Sequence, residues 1–216
     1  MSRIVELEED DLRITAILGC GDFNNNAYIC TDTAQKHAVL IDLPAVDAEF
    51  LHALQSVVTL DAILVTHWHH DHWAGYDNVR SHTPAPVLVG EHEININEER
   101  IDRRLSDKEV VQFGSGRITA LHTPGHTPGH LSFLLGSTCF TGDALFAGGP
   151  GHTNTPDELT TLLATIRTTF LAMPDATTIR PGHGEPGTIS ETRRGMKALD
   201  SAPVRYRYGD IVWPSS

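Results

Sequence analysis

Seven consecutive residues, Thr66-His67-Trp68-His69-His70-Asp71-His72, hold four histidines and a carboxylate directly after the apolar run Ala62-Ile63-Leu64-Val65. Imidazole and carboxylate are the side chains that bind divalent metals and handle protons near neutral pH. A helical zinc motif sets two histidines four apart on one face. Here His67 and His69 are two apart and Asp71 and His72 are adjacent, so a tight turn at a strand end must aim them inward. Further turns offer the same donors. His126 sits in Thr123-Pro124-Gly125-His126-Thr127-Pro128-Gly129-His130, His183 in Pro181-Gly182-His183-Gly184, and Asp143 follows Thr141-Gly142. Together these make seven donors. A tetrahedral zinc takes about four ligands, so the set suits two ions sharing a bridge. Any one of these residues alone would read as a cap or a satisfied polar group; their joint occurrence points to metal.

The surrounding pattern supplies elements to carry them. Strand-like runs lie at Ile14–Leu18, Ala27–Thr31 and Ala38–Ile41, with Asn24-Asn25-Asn26 as a turn cluster. Val46, Phe50, Leu51, Leu54 and Val57 recur at helical spacing. Ala62–Val65 is a continuous apolar run of the buried-strand type, Trp73–Ser81 is expected to be helical, Pro86–Gly90 a strand and Glu91–Arg100 a helix. Strands follow near Val110–Phe113, Gly116–His122, Leu131–Leu135, Thr138–Thr141 and Thr177–Ile179. Helices are expected over Asp157–Phe170, capped at Thr155-Pro156, and over Ser190–Leu199. Strand and helix alternate, so the class is α/β, and every histidine-rich segment falls just past a strand or in a Gly/Pro turn, where α/β folds gather ligands.

The 216 residues are most simply one domain, 1–216. The formal charge is −12, from 28 acids against 16 bases, with no Lys/Arg-rich run. Nucleic acid and anionic membrane are thereby disfavoured as partners, because both need a positive footprint. The acidic start and the lack of an apolar run near the roughly 20 residues of a bilayer span make a cytoplasmic location the expectation. Cys20, Cys30 and Cys139 are odd in number and widely spaced, so they read as buried thiols rather than disulfides or zinc thiolates. Nine of the 13 histidines fall in 67–72, in 122–130 or at positions 152 and 183. His37, His52, His82 and His92 have no such company and read as surface residues.

The motifs T-H-W-H-H-D-H, T-P-G-H-T-P-G-H, F-T-G-D-A-L-F and R-P-G-H-G resemble those of the metallo-β-lactamase superfamily over about residues 14 to 195, and look most like the short, single-domain glyoxalase II-like hydrolases. The resemblance implies an αβ/βα sandwich, two mixed sheets flanked by helices, with metals at one edge between the sheets. It also implies that His67, His69 and His126 hold a first metal, that Asp71, His72 and His183 hold a second, and that Asp143 bridges. Two divalent ions are expected, zinc foremost, with iron or manganese also fitting this donor set. The implied activity is hydrolysis of a small thioester or ester by a hydroxide generated at the dinuclear centre, with Asp71 and Asp143 in catalytic roles. Zinc β-lactamases carry a cysteine where this chain has Asp143, and flavodiiron-type relatives a Glu in place of His69, so both activities are disfavoured. A lactonase, or a persulfide dioxygenase with one iron at the residues matching His67, His126 and Asp143, remains the alternative.

The stretch after Asp143 departs from the resemblance. Glyoxalase II-like proteins commonly carry Gly and then Arg or Lys here, whereas this chain reads Gly148-Gly149-Pro150-Gly151-His152-Thr153-Asn154. A largely neutral His152 in place of a permanent cation puts glutathione recognition in question. His152, Asn154, Phe146, Trp68 and Tyr28 are the expected substrate-facing residues, with Phe23 and Trp73 nearby. Asp42 and Asp61 are expected to orient ligand imidazoles. His70 should point away, and His130 should support ligands rather than ligate. The segment Val204–Tyr208 could pack on the domain, cover a cleft or join a homodimer.

Overall fold

The computed structural model describes residues 1–9, 11–201 and 208–214. Residues 204–207 of the segment singled out above lie outside the described residues, and Tyr208 within them. In chain order, β1 (Arg3–Glu9), β2 (Leu12–Cys20), β3 (Asn25–Asp32) and β4 (His37–Ile41) form an antiparallel meander. Then α1 (Ala48–Gln55), β5 (Thr59–Leu64), α2 (Tyr76–Arg80), β6 (Val87–Gly90) and β7 (Arg103–Leu105) extend the sheet by parallel pairing. The second half contributes β8 (Val110–Phe113), β9 (Gly116–His122), β10 (Leu131–Leu135), β11 (Thr138–Gly142), the hairpin β12 (Leu145–Phe146) and β13 (Gly149–Pro150), α3 (Pro156–Thr168), β14 (Thr178–Pro181), β15 (Gly187–Thr188) and α4 (Ile189–Ser201). One seven-stranded sheet runs β1 to β7 in order; a six-stranded sheet has the order β15-β14-β11-β10-β9-β8, with β11 and β14 parallel. Both sheets are mixed.

Side-chain alternation explains the layering. In β4, Val39 and Ile41 face one apolar cluster while Ala38 and Leu40 face another; in β5, Ala62 and Leu64 oppose Ile63. The first cluster joins both sheets, bringing Ile14, Val39 and Leu64 against Phe113, Phe133 and Phe140. The second packs the seven-stranded sheet against Phe50 and Leu54 of α1 and Val79 of α2, and the third packs Cys139 and Ile179 against Leu162 of α3 and Met196 of α4. Strands buried on both faces need apolar residues at every position, and that is why Ala62–Val65 reads as an unbroken run. The three cysteines are buried thiols outside any disulfide, as expected.

Most elements fall where the spacing places them. Thr155 caps α3 in a reciprocal pair with Glu158, with Pro156 in the first turn. The helix expected over Glu91–Arg100 does not form: only Glu98–Arg100 makes a single 3-10 turn. Asn95 takes a left-handed φ of 63°, and the Arg104 guanidinium satisfies the carbonyls of Gly90 and Glu93 that a helical ladder would have used. Only Ile94 and Ile96 in that stretch are apolar, too few to form a buried stripe. The seven-residue β1 and the three-residue β7, which no sequence signal marked, complete the first sheet. Of the expected turn Asn24–Asn26, only Asn24 turns, at φ 54°, and Asn25 and Asn26 begin β3.

Candidate metal centre

The expected donors converge past the ends of β5, β11 and β14 and in the turn between β9 and β10. His67, His69 and His126 form one trio: His69 Nδ1 lies 3.1 Å from His67 Nε2 and 2.9 Å from His126 Nε2. Asp71, His72 and His183 form a second, with Asp71 Oδ2 3.1 Å from His183 Nε2 and 3.5 Å from His72 Nε2. Asp143 stands between them: its carboxylate is 3.5 Å from both His72 Nε2 and His183 Nε2, and 3.9 Å from His126 Nε2. Such spacings are what a set of donors shows when all point at common centres.

The outer nitrogens show why they point inward. His72 Nδ1 is 2.8 Å from Asp42 Oδ2, His126 Nδ1 is 2.8 Å from the His152 carbonyl, and His183 Nδ1 is 2.9 Å from the Phe23 carbonyl. Each acceptor holds a proton on Nδ1 and turns Nε2 toward the cluster. His67 Nδ1 lies 3.0 Å from Thr66 Oγ1, which donates to Asp42. Asp42 therefore steadies His67 and His72 together; it holds a left-handed φ of 61° at the end of β4.

Two atoms carry the fit to metal. His72 Nε2 and Asp143 Oδ1 are buried and make no hydrogen bond, an arrangement that costs stability unless a cation takes those lone pairs. Gly182 lets them come together: a Cβ there would collide with Asp143 Oδ1 and sit 2.6 Å from His72 Cε1. The residues present fit a divalent ion at each trio.

Electrostatics agree with the geometry. Burial and the neighbouring His126 push His69 down to about 4, and burial holds His67 and His126 below the ordinary imidazole range, so these three are neutral and ready to ligate. Burial opposes charge on His183, but Asp143 and Asp71 outweigh it and raise its pKa to about 9; Asp42 and Asp143 likewise hold His72 up against burial. Burial would raise Asp71, yet His183, His72 and Asn25 keep it well below the usual carboxylate range.

Other residues divide between scaffold and cleft. His70 is exposed, as expected. His130 is buried; its Nε2 accepts the Asp143 backbone N–H and its Nδ1 lies 2.9 Å from Thr123 Oγ1, so it supports rather than ligates. Asp61 pairs with half-buried His37, not with a ligand, because it lies near the start of β5 and away from the site. Tyr28 does not face substrate: it is 3% exposed, packs on Phe140 and donates its hydroxyl to the Pro181 carbonyl, where it holds the end of β14. Trp73 is buried, its indole donating to the His67 carbonyl. Asn154 is exposed at the start of α3, where its backbone N–H donates to Glu158.

Phe146 and His152 line a cavity of about 370 Å³ with Asp143 and His183, and half-buried Trp68, edge-on to His69, lines another of about 300 Å³ with His70 and Arg100. The sequence reading missed Asn25 and Asn26. Asn25 Nδ2 donates to Asp71 Oδ2 at 2.8 Å, and Asn26 Nδ2 donates to the Pro181 and Gly184 carbonyls on either side of His183. Their signal was there: asparagine is disfavoured in strands, so two in a row ahead of Ala27-Tyr28-Ile29 mark a polar task.

Among known proteins, a family model described as the metallo-beta-lactamase superfamily matches residues 20–183. A hydroxyacylglutathione hydrolase of Photobacterium profundum is 33% identical over 193 residues, covering 88% of this chain and 73% of that protein. Two solved structures share the fold. One, described as BLEG-1 B3 metallo-beta-lactamase, has a TM-score of 0.70 at 28% identity and covers 88% of this chain and 98% of its own. The other, ETHE1 from Myxococcus xanthus, has a TM-score of 0.71 at 26% identity over 91% of this chain and 84% of its own.

Proposed function

The chain belongs to the metallo-β-lactamase superfamily, and from that premise we propose that it is a metal-dependent hydrolase of the glyoxalase II-like type acting on a small thioester or ester. The observation that carries the reading is the pair of donor trios meeting at Asp143, with His72 Nε2 and Asp143 Oδ1 buried and without a hydrogen bond. His67, His69 and His126 would hold one divalent ion, Asp71, His72 and His183 a second, and Asp143 would serve both. When bound, such ions supply a water of lowered pKa and polarise an acyl carbonyl.

The protein's own groups do the rest. Asp71, ionised and held by Asn25, is placed to accept a water's O–H and so turn that water's lone pair toward the cluster. A carboxylate so depressed in pKa accepts a proton weakly, so its part is orientation. A thiol leaving group, with an ordinary pKa near 8.5, departs as thiolate without a strong acid, and no lysine or arginine is among the described residues lining the cavity at Asp143 and His183. Zinc is the expected metal, and two ions per chain the expected stoichiometry.

A second reading has its own support. The likeness to ETHE1 from Myxococcus xanthus keeps a mononuclear iron dioxygenase, with iron at His67, His126 and Asp143, as the alternative. The likeness to a B3 metallo-beta-lactamase also returns β-lactams to consideration, against the expectation drawn from Asp143. Screening metal-loaded protein on thioesters, esters, lactones, phosphoesters and a β-lactam separates these. We expect thioester or ester cleavage that a chelator abolishes. Cleavage indifferent to chelation, or oxygen uptake on a persulfide with no hydrolysis, overturns the proposal.

A further inference from the structure

The described C-terminal residues, 208–214, return to the site. Gly209 N–H donates to the Thr153 carbonyl at 2.9 Å, Trp213 N–H donates to the Gly148 carbonyl at 2.7 Å, and Ile211 joins the apolar cluster of α3 and α4. Two glycines make room for this. A Cβ on Gly149 would strike the Ile211 carbonyl, and one on Gly195, inside α4, would strike the Trp213 indole. The segment is thus a built wall of the 370 Å³ cavity that opens on Asp143 and His183.

That wall gives the cavity a chemical character. Phe146, Pro150, Ile211 and Val212 make it apolar, and its rim carries one ion pair, His152 Nδ1 to Asp210 Oδ1 at 2.8 Å. The pair brings a carboxylate to the rim and no Lys or Arg. No lysine or arginine lines the cavity among the described residues. A carboxylate placed there would meet Asp210 with no Lys or Arg among the described lining residues to offset it.

We propose that this cavity binds an uncharged, apolar segment of the substrate and that Asp210 selects against a carboxylate in it. The inference rests on the hydrolase reading only in taking the cavity as that enzyme's substrate site. Asp210 is 86% exposed, so solvent screens its repulsion, and the expected discrimination is about fivefold rather than several orders of magnitude.

Non-cleavable thioethers test it by binding, without turnover. Calorimetric titration of zinc-loaded protein would compare neutral S-butyl-N-acetylcysteamine with its ω-carboxylate S-(3-carboxypropyl) counterpart and with S-butylglutathione. We expect the neutral ligand to bind about fivefold more tightly than at least one anionic ligand. Asp210→Asn should bring that gap below about twofold, and Val212→Asp should widen it. Equal binding of all three, a gap that survives Asp210→Asn, or no binding of the neutral ligand overturns the inference. An Asp210-dependent gap without thioester or ester cleavage would sink the hydrolase reading alone; cleavage without a gap would sink this inference alone.

Discussion

At Asp42 one carboxylate aligns three groups: it accepts from the Thr66 backbone N–H and hydroxyl and holds His72 Nδ1. Sequence reasoning could select Asp42 as an orienting residue because it follows a strand, but the same rule chose Asp61, which serves His37 instead. The difference is tertiary, since Asp42 sits at the end of β4 nearest the histidines and Asp61 near the opposite end of β5. Ligand identity follows the same logic: deleting His69, the member common to both short imidazole contacts of its trio, leaves His67 and His126 without their partner. His69→Ala should lower bound metal by about one ion per chain and hydrolysis by more than about 100-fold, beyond the roughly 10- to 100-fold cost of losing an outer partner. Metal analysis alongside the assay checks this; unchanged metal content would refute the assignment.

A proton count tests the electrostatics. Metal requires a neutral imidazole, and His183, raised to about 9, carries a proton at pH 7 in the metal-free protein, whereas His69, lowered to about 4, does not. Metal uptake should therefore release protons near pH 7, and the release should fall as pH rises through about 9, where His183 is already neutral. A pH indicator in weak buffer reads it. The sign follows from the raised pKa: the proton is held below that value and lost above it. Release that is flat across this range would contradict the assignment.

At the scale of elements, the strand ends do the positioning. The buried runs, the Thr155-Pro156 start of α3 and the Gly/Pro turns were legible, because burial on both faces and capping leave local marks. The stretch 91–97 was not. Its conformation is decided by groups distant in sequence: buried Glu93 accepts from Thr127 Oγ1 at 2.6 Å, and Arg104 takes its carbonyls. Two substitutions separate scaffold from site. Thr155→Ala should cost about 1 kcal/mol by denaturant unfolding and leave metal content unchanged. Gly182→Ala should weaken metal binding at least tenfold, because its Cβ would displace Asp143 and His72. Equal effects of the two on metal binding would contradict this division.

Across the whole molecule, two mixed sheets share one core and bring together donors that are up to 116 residues apart, from His67 to His183. The motif set made the fold and the donor residues legible, since only a sandwich that joins several strand ends collects these turns. The substrate cleft was less so. Tyr28 went to the scaffold, and Asp210, which no motif marked, came to the rim. The formal charge of −12 includes both carboxylates of the donor set, so bound divalent cations offset part of it where it is densest. The central claim, two ions sharing Asp143, is tested most directly by the stoichiometry of zinc bound to the intact chain after saturation and desalting. The account predicts about two ions per chain; saturation at one, or none retained, would contradict it.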